Sequence, residues 1–422
     1  MPSALADPDS RRRRRALLGV LLTAVLLVGT TACGGDTSIP PPKASSDASD
    51  ARVAAATTTV GKLGEALDGG DRSAASALGL ASSRQLLGAV ADNARKLHVV
   101  DLEFRLVDDD APAGAEDLDA YGPDAWRGTV EVDYRLRDWD AKRTQVETTF
   151  VFAPTDTGQA IVDIGGSDGR TPIWLTGPVR VLSATRTLVI DRSNGASRFL
   201  GLAKQALTDV GRVLPDWHGP LVIEVPDSED GLDQALGAST GQYANIAAVT
   251  ASVDGSLVRS SPVHVFINPQ VFAGLGPRGA QVVVSHESTH VATGATFASM
   301  PTWLLEGFAD YVALVHSGIP VSTAASQILS RIRKDGAPDH LPSTAELDPS
   351  ANGLGATYEE AWLATRFIGS AYGEAKLVRF YYSVSNGTNL SRAFTTVLGT
   401  TENAFVKQWR ADLRDLAGGV AG

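Results

Sequence analysis

Residues 279–290 read Gly-Ala-Gln-Val-Val-Val-Ser-His-Glu-Ser-Thr-His, an apolar run leading straight into an H-E-x-x-H spacing. On a helix, positions four apart share one face, so His286 and His290 stand side by side. Two neutral imidazoles there can hold one zinc ion, and Glu287 is placed to take a proton from a water on that ion. The apolar lead-in marks this helix as buried. A core helix does not carry two histidines and a glutamate without partners for them, because buried polar groups left unpaired are costly. The plainer alternative is a surface helix with two scattered histidines, and the lead-in argues against it.

A second helix signal follows at Pro301-Thr302-Trp303-Leu304-Leu305-Glu306-Gly307-Phe308-Ala309-Asp310-Tyr311, with proline near its first turn and Glu306 inside it. Asp310 lies four residues after Glu306, on the same helical face. Further on, Thr357-Tyr358-Glu359-Glu360 opens a third helix that reads as a capping box from Thr357 to Glu360, with Gly373 as its stop.

H-E-x-x-H followed by W-L-x-E-G-F-A-x-Y resembles the gluzincin zinc metallopeptidases, in particular the aminopeptidase N branch and its peptidase MA-like relatives. The resemblance covers roughly residues 185–417 and implies a small sheet ahead of a helical bundle. It also implies one zinc ion per chain on His286, His290 and Glu306, with Glu287 as general base and a peptide or protein as substrate. The E-x-x-x-D pattern is similar to that of thermolysin, which implies that Asp310 orients a ligand histidine from behind. Tyr358 falls where the aminopeptidase N branch has the tyrosine of a Y-E-K-G helix, which donates to the oxyanion. Tyr372, Tyr381 and Tyr382 are its rivals.

The chain departs from that family in two places. The loop 291–300 is shorter, and no G-x-M-E-N segment precedes the zinc helix. In aminopeptidases that segment holds the free amino terminus of the substrate, so its absence favours internal cleavage. Ser261–Asn268 stands there instead and alternates like a strand. The strand 263–267 is therefore expected to be an edge that pairs with substrate backbone. Two other readings stay open: a non-catalytic binding or assembly lipoprotein with a peptidase-like fold, and a zinc amidase acting on cell-wall material. The intact Glu287 speaks against the first; the ligands do not separate the second.

At the N-terminus, Arg11–Arg15 precede an apolar stretch, Ala16–Val28, that is short for a membrane span. Thr30-Thr31-Ala32-Cys33-Gly34-Gly35 resembles a bacterial lipobox, and Cys33 is the only cysteine in the chain. The expectation is a signal peptide over 1–32, then a lipidated Cys33 and a flexible linker over 33–50, rich in Gly, Pro, Ser and Asp. The protein would be exported and held to the extracytoplasmic face of the membrane by its lipid anchor. Residues 1–32 carry five Arg and two Asp, so their removal takes the formal net charge from −11 to −14. Such an acidic protein is not expected to bind nucleic acid.

What remains is too long for one small core. Residues 51–167 show helical patterns over 52–67 and 74–93 and then strand-like runs over 97–106, 128–137, 144–152 and 159–164. That order suggests an α+β accessory domain, similar to the nuclear transport factor 2-like cone, serving as a spacer or docking module. Residues 171–422 would form the metallopeptidase domain, with a helix over 197–214, strands over 221–225, 243–251 and 263–267, and helices thereafter. The overall class is α+β. Gly165-Gly166-Ser167-Asp168-Gly169 matches the hydrolase elbow G-x-S-x-G, but Arg170-Thr171-Pro172 follows where that motif needs a helix. It reads as a turn leaving the first domain. His98, His218, His264, His316 and His340 are not expected to bind metal.

Overall fold

Alternation with period two dominates the first half, and the computed structural model turns it into a meander. The structure describes residues 46–109, 113–348 and 351–419. Helices α1 (Ser46–Asp68), α2 (Arg72–Ala77) and α3 (Arg84–Lys96) lead into β1 (Val99–Asp108). The short α4 (Ala115–Tyr121) follows, then β2 (Trp126–Leu136), β3 (Thr144–Thr155) and β4 (Gly158–Gly169). The four strands pair in chain order, all antiparallel. Along β2 every second residue is buried, from Trp126 through Val130, Val132 and Tyr134 to Leu136. These pack with Val60 and Leu63 of α1, Leu87 and Val90 of α3, and Phe150 and Phe152 of β3.

The second half holds a mixed sheet. Its strands are β5 (Arg180–Ala184), β6 (Thr187–Asp191), β7 (Leu221–Val225), β8 (Ala248–Ser252) and β9 (Val263–Ile267), in the order β5-β6-β7-β9-β8. β6, β7 and β9 run parallel, and β5 and β8 are antiparallel to their neighbours. β6 and β7 are buried at every residue, as expected of parallel strands covered on both faces. One face is covered by α5 (Ala196–Val213) and α8 (Pro277–Thr293), which bring Phe199, Ala203, Ala280 and Val284 against Ile223, Val265 and Ile267. On the other face, Leu188, Ile190, Val222 and Phe266 join the core of the first sheet. Helix α6 (Glu229–Leu236) packs Leu232, Ala235 and Leu236 into the core of the first sheet, and α7 (Pro269–Ala273) places Phe272 in the core of the second.

A bundle completes the fold: α9 (Thr302–Leu314), α10 (Val321–Ala324), α11 (Ser326–Asp335), α12 (Leu354–Tyr372), α13 (Glu374–Ser385), α14 (Leu390–Ala393), a π-helical turn (Phe394–Leu398) and α15 (Glu402–Gly418). Phe308, Phe380, Tyr381, Phe394, Phe405 and Trp409 fill its centre.

Four expectations are corrected. α1 begins at Ser46, so the last five residues of the expected linker are helical. β4 continues through Gly169, so the Gly-Gly-Ser-Asp-Gly segment is a bulged stretch of strand rather than a turn, with four residues between the pairs Phe150↔Ile164 and Thr148↔Gly169. α12 starts at Leu354 behind Gly353, which has φ +74°, so Thr357 lies inside the helix and forms no capping box. Finally, β9 is an interior strand and β8 is the edge. Cys33, the basic and apolar segments before it and residues 34–45 lie outside the described residues. No helix among the described residues is long and apolar enough to cross a membrane.

The two sheets are joined by a buried ionic triad. His264 of β9 meets Glu224 of β7 through Nδ1 at 2.6 Å and Asp140 of the β2–β3 hairpin through Nε2 at 3.0 Å. All three side chains are at most 5% exposed. Burial opposes the charge on the imidazole, but the two carboxylates outweigh it and hold His264 up to about 10. A group whose pKa is higher in the folded state stabilises below its unfolded value, about 6.5, and that contribution is lost as pH rises toward 10. The unfolding free energy should therefore fall between pH 6.5 and 10, and His264→Gln should flatten this slope. Asp140→Asn should cost about 3–5 kcal/mol in urea unfolding at pH 7, the scale for breaking a buried pair. An Asp140→Asn protein as stable as the parent would remove the triad from the account.

Candidate metal centre

Helix α8 is set by its ends and its buried face. Pro277 occupies its first turn, and Gly294 stops it in the left-handed region at φ +65°, giving its N–H to the carbonyls of His290 and Val291. Ala280 and Val284 face the sheet, which turns His286 and His290 toward α9. Helix α9 presents Glu306 and Asp310 one turn apart toward the same two rings. Its own position depends on Gly307, where a Cβ would come within 2.4 Å of the Ala361 carbonyl of α12. Thr365 closes that contact by donating to the Gly307 carbonyl at 2.7 Å.

Three donor atoms converge. His286 Nε2 and His290 Nε2 are 3.0 Å apart, and Glu306 Oε2 lies 3.2 Å from the first and 3.5 Å from the second. Ligands held tetrahedrally at about 2.0–2.1 Å from a zinc ion stand about 3.3 Å from one another. The observed triangle therefore has the edge lengths of such a site, and the donor set is two imidazoles and a carboxylate. Among the described residues it is the one group of histidine, cysteine, aspartate or glutamate side chains arranged to hold a metal ion.

The surroundings fix which nitrogen faces the centre. Asp310 Oδ1 lies 2.7 Å from His286 Nδ1, which makes that nitrogen the donor and leaves Nε2 its lone pair for a metal. His290 Nδ1 is buried with no protein partner among the described residues. Burial works against charge on His286, but Asp310 and then Glu306 outweigh it and hold its pKa well above the ordinary range. Burial raises the Glu306 carboxyl, but the charge of His290 and the bonds from both imidazoles outweigh this and hold it well below the usual carboxylate range.

Glu287 is 8% exposed. Burial lifts its carboxyl above the usual range, with the two imidazoles and a hydrogen bond from Thr250 pulling the other way. Tyr358 of α12 lies on the same cleft. Burial and then the charges of Glu306, Asp310 and Glu287 push its phenol well above its ordinary value, so it stays an O–H donor at neutral pH. The cleft, about 410 Å³, is walled by Ile246–Thr250 on one side and by Val282, Val283, Leu305 and Leu354 on the others.

All six residues that sequence assigned to the metal site, His286, Glu287, His290, Glu306, Asp310 and Tyr358, line this cleft. The rival tyrosines do not. The hydroxyl of Tyr372 meets Gln408 at 3.1 Å, and Tyr381 meets Thr293 at 3.1 Å. Tyr382 lines a separate apolar recess with Trp217 and Val378. His264 is committed to the triad described above. Sequence reading missed Thr250 and misplaced the edge strand.

No family model matches this chain, and no curated protein matches it. Among solved structures it is similar to native yeast LTA4 hydrolase, at 13% identity and a TM-score of 0.34, over 63% of this chain and 43% of that one. It is also similar to an M1 zinc metallopeptidase from Deinococcus radiodurans bound to a Tyr-Ser-Ala substrate, at 13% identity and a TM-score of 0.33, over 68% of this chain and 61% of that one. The chain thus spans less than two thirds of either. Likenesses this distant carry no argument here; the donor geometry does.

The purified protein is expected to bind one divalent transition-metal ion per chain. His290→Ala or Glu306→Ala should abolish most of that binding, and Asp310→Asn should weaken it by about 10–100-fold, as for other groups that orient a ligand. Elemental analysis after dialysis against a metal buffer checks this. Equal metal content in the parent and in both ligand variants would rule the site out.

Proposed function

We propose that this protein is a zinc-dependent peptidase that cuts peptide chains internally. The observation that supports it best is the donor triangle of His286, His290 and Glu306, with the Glu287 carboxyl beside it in one cleft. When bound, zinc would act as a Lewis acid that polarises the scissile carbonyl and makes a water easier to deprotonate.

The chain's own residues supply the rest. Glu287 takes a proton from the attacking water as the new C–O bond forms. It returns that proton to the departing nitrogen as the C–N bond breaks. Burial lifts its carboxyl above the usual range, which makes it the stronger base for the first half of that task. Tyr358 O–H donates to the oxygen on which negative charge develops. Asp310 keeps His286 in one tautomer.

The edge strand β8 offers unpaired backbone groups along the cleft, and an extended substrate would pair with it there. This role moves from β9, where sequence placed it. The charged and imidazole groups lining the cleft are those of the cluster itself, His286, Glu287, His290, Glu306 and Asp310. Among the described residues no arginine, lysine or additional carboxylate lines it to hold a chain terminus, which favours internal cleavage and uncharged side chains around the cut.

The first half, four helices and a four-stranded meander, suits the nuclear transport factor 2-like reading. Acylation at Cys33 would hold the protein to the outer face of the membrane, within reach of surface or cell-wall-associated polypeptides. A partition assay comparing the parent with Cys33→Ser tests that anchor.

Three measurements test the chemistry. Glu287→Gln should keep its zinc and lose hydrolysis. Tyr358→Phe should lower kcat by about 10²–10³ with little change in KM, as when one oxyanion donor is removed. Peptides blocked at both ends should be cut internally, as read by mass spectrometry of the products. Release of single N-terminal residues alone would overturn the internal-cleavage reading, and a fully active Glu287→Gln would overturn the role of Glu287.

A further inference from the structure

We propose that Thr250 is the positioning residue for Glu287: it anchors one carboxylate oxygen and so leaves the other as the atom that handles the proton. This rests on the peptidase reading above. Thr250 lies on the edge strand β8, its register fixed by pairing with Val265 of β9. Its Oγ1 is 2.7 Å from Glu287 Oε2 and 3.0 Å from the backbone carbonyl of Glu287. A hydroxyl has one hydrogen to give, and the shorter contact to the charged acceptor takes it.

The consequence is geometric. Glu287 is the residue of α8 between the metal-facing turn and the sheet, and its side chain has three rotatable bonds. With Oε2 held by Thr250, Oε1 is the oxygen left to meet the water. A proton moving from water to Oε1 and then on to the leaving nitrogen does not break the Thr250 bond, so the base stays in place through both transfers. Without the anchor, the carboxylate loses the side-chain hydrogen bond from Thr250 and is free to rotate out of line with the water it must meet. Thr250 belongs to the same strand that would pair with substrate, so the wall that fixes the substrate backbone also fixes the base.

The test compares Thr250→Val, which keeps the β-branched shape and removes the hydroxyl, with Thr250→Ser, which keeps the hydroxyl. In the zinc-loaded protein, Thr250→Val should lower kcat by about 10–100-fold, the range for a group that orients an active residue, with KM and zinc content nearly unchanged. Thr250→Ser should recover most of the loss, and adding Thr250→Val to Glu287→Gln should cost nothing further. A second readout needs neither metal nor turnover. In the metal-free protein, Thr250→Val should lower the melting temperature, and by less in a Glu287→Ala background. A parent that cleaves, an inactive Glu287→Gln and a fully active Thr250→Val would overturn the proposal and leave the peptidase reading standing. So would a raised KM at unchanged kcat, which would make Thr250 a substrate contact only. If neither the parent nor Glu287→Gln cleaves any peptide, the peptidase reading fails, and melting temperatures that show no coupling between Thr250 and Glu287 overturn the anchor by themselves.

Discussion

Two imidazole nitrogens and a carboxylate oxygen held within 3.0 to 3.5 Å of one another, lining one cleft, form an arrangement suited to a cation. Without one, two nitrogen lone pairs and a carboxylate oxygen would face one another unless a proton stands between them. With a metal ion at the centre, every donor has a use. The rest of the site follows from keeping this triangle in place. α8 supplies two corners because four residues make about one turn. α9 supplies the third because Gly307 lets it lie against α12, and Asp310, one turn further on, fixes the ring of His286.

The protein contains a second histidine between two carboxylates, and the contrast with the first is informative. His264 has both ring nitrogens bonded, to Glu224 and to Asp140, and is closed off in the core. His286 has Nδ1 bonded to Asp310 behind it, while its Nε2, beside Glu306 and His290, is turned to a cleft. The same residue types therefore give a structural ion triad in one place and a metal-ready site in the other. Burial and the direction of the second nitrogen decide between them, and neither is written in local sequence.

That marks how far the sequence could be read. His286, Glu287 and His290 were legible because their relation is set inside one helix, where spacing alone fixes the geometry. Glu306, Asp310 and Tyr358 depended on a family resemblance, since their approach to α8 is a matter of helix packing. The alternating strands of the first half were legible from side-chain period, although the bulge in β4 was not, because a bulge changes pairing without changing composition. The edge strand was misassigned for a related reason. Val263–Ile267 alternates more cleanly than Ala248–Ser252, but which strand ends a sheet depends on how the connections cross, not on the pattern within either strand. Thr250 was invisible because its partner lies 37 residues away on another element.

The mixed sheet also changes what the first half can be. A spacer would touch its neighbour at a surface, yet here one apolar cluster runs from Val60, Leu87 and Phe150 through Trp174 to Leu188, Val222 and Phe266. Polar groups cross the same boundary. Asn93 of α3 donates to the carbonyls of Trp174 and Gly177 at 2.8 and 2.7 Å and accepts from the Val179 N–H at 3.1 Å, all buried. Removing the first half would uncover one face of β6, β7 and β9 and leave His264 with a single counterion. β8 hangs from β9, and Thr250 on β8 reaches Glu287. The packing that supports the edge strand of the cleft is thus shared between the two halves of the chain, and the first half contributes to the site through the sheet it covers rather than by any residue of its own in the cleft.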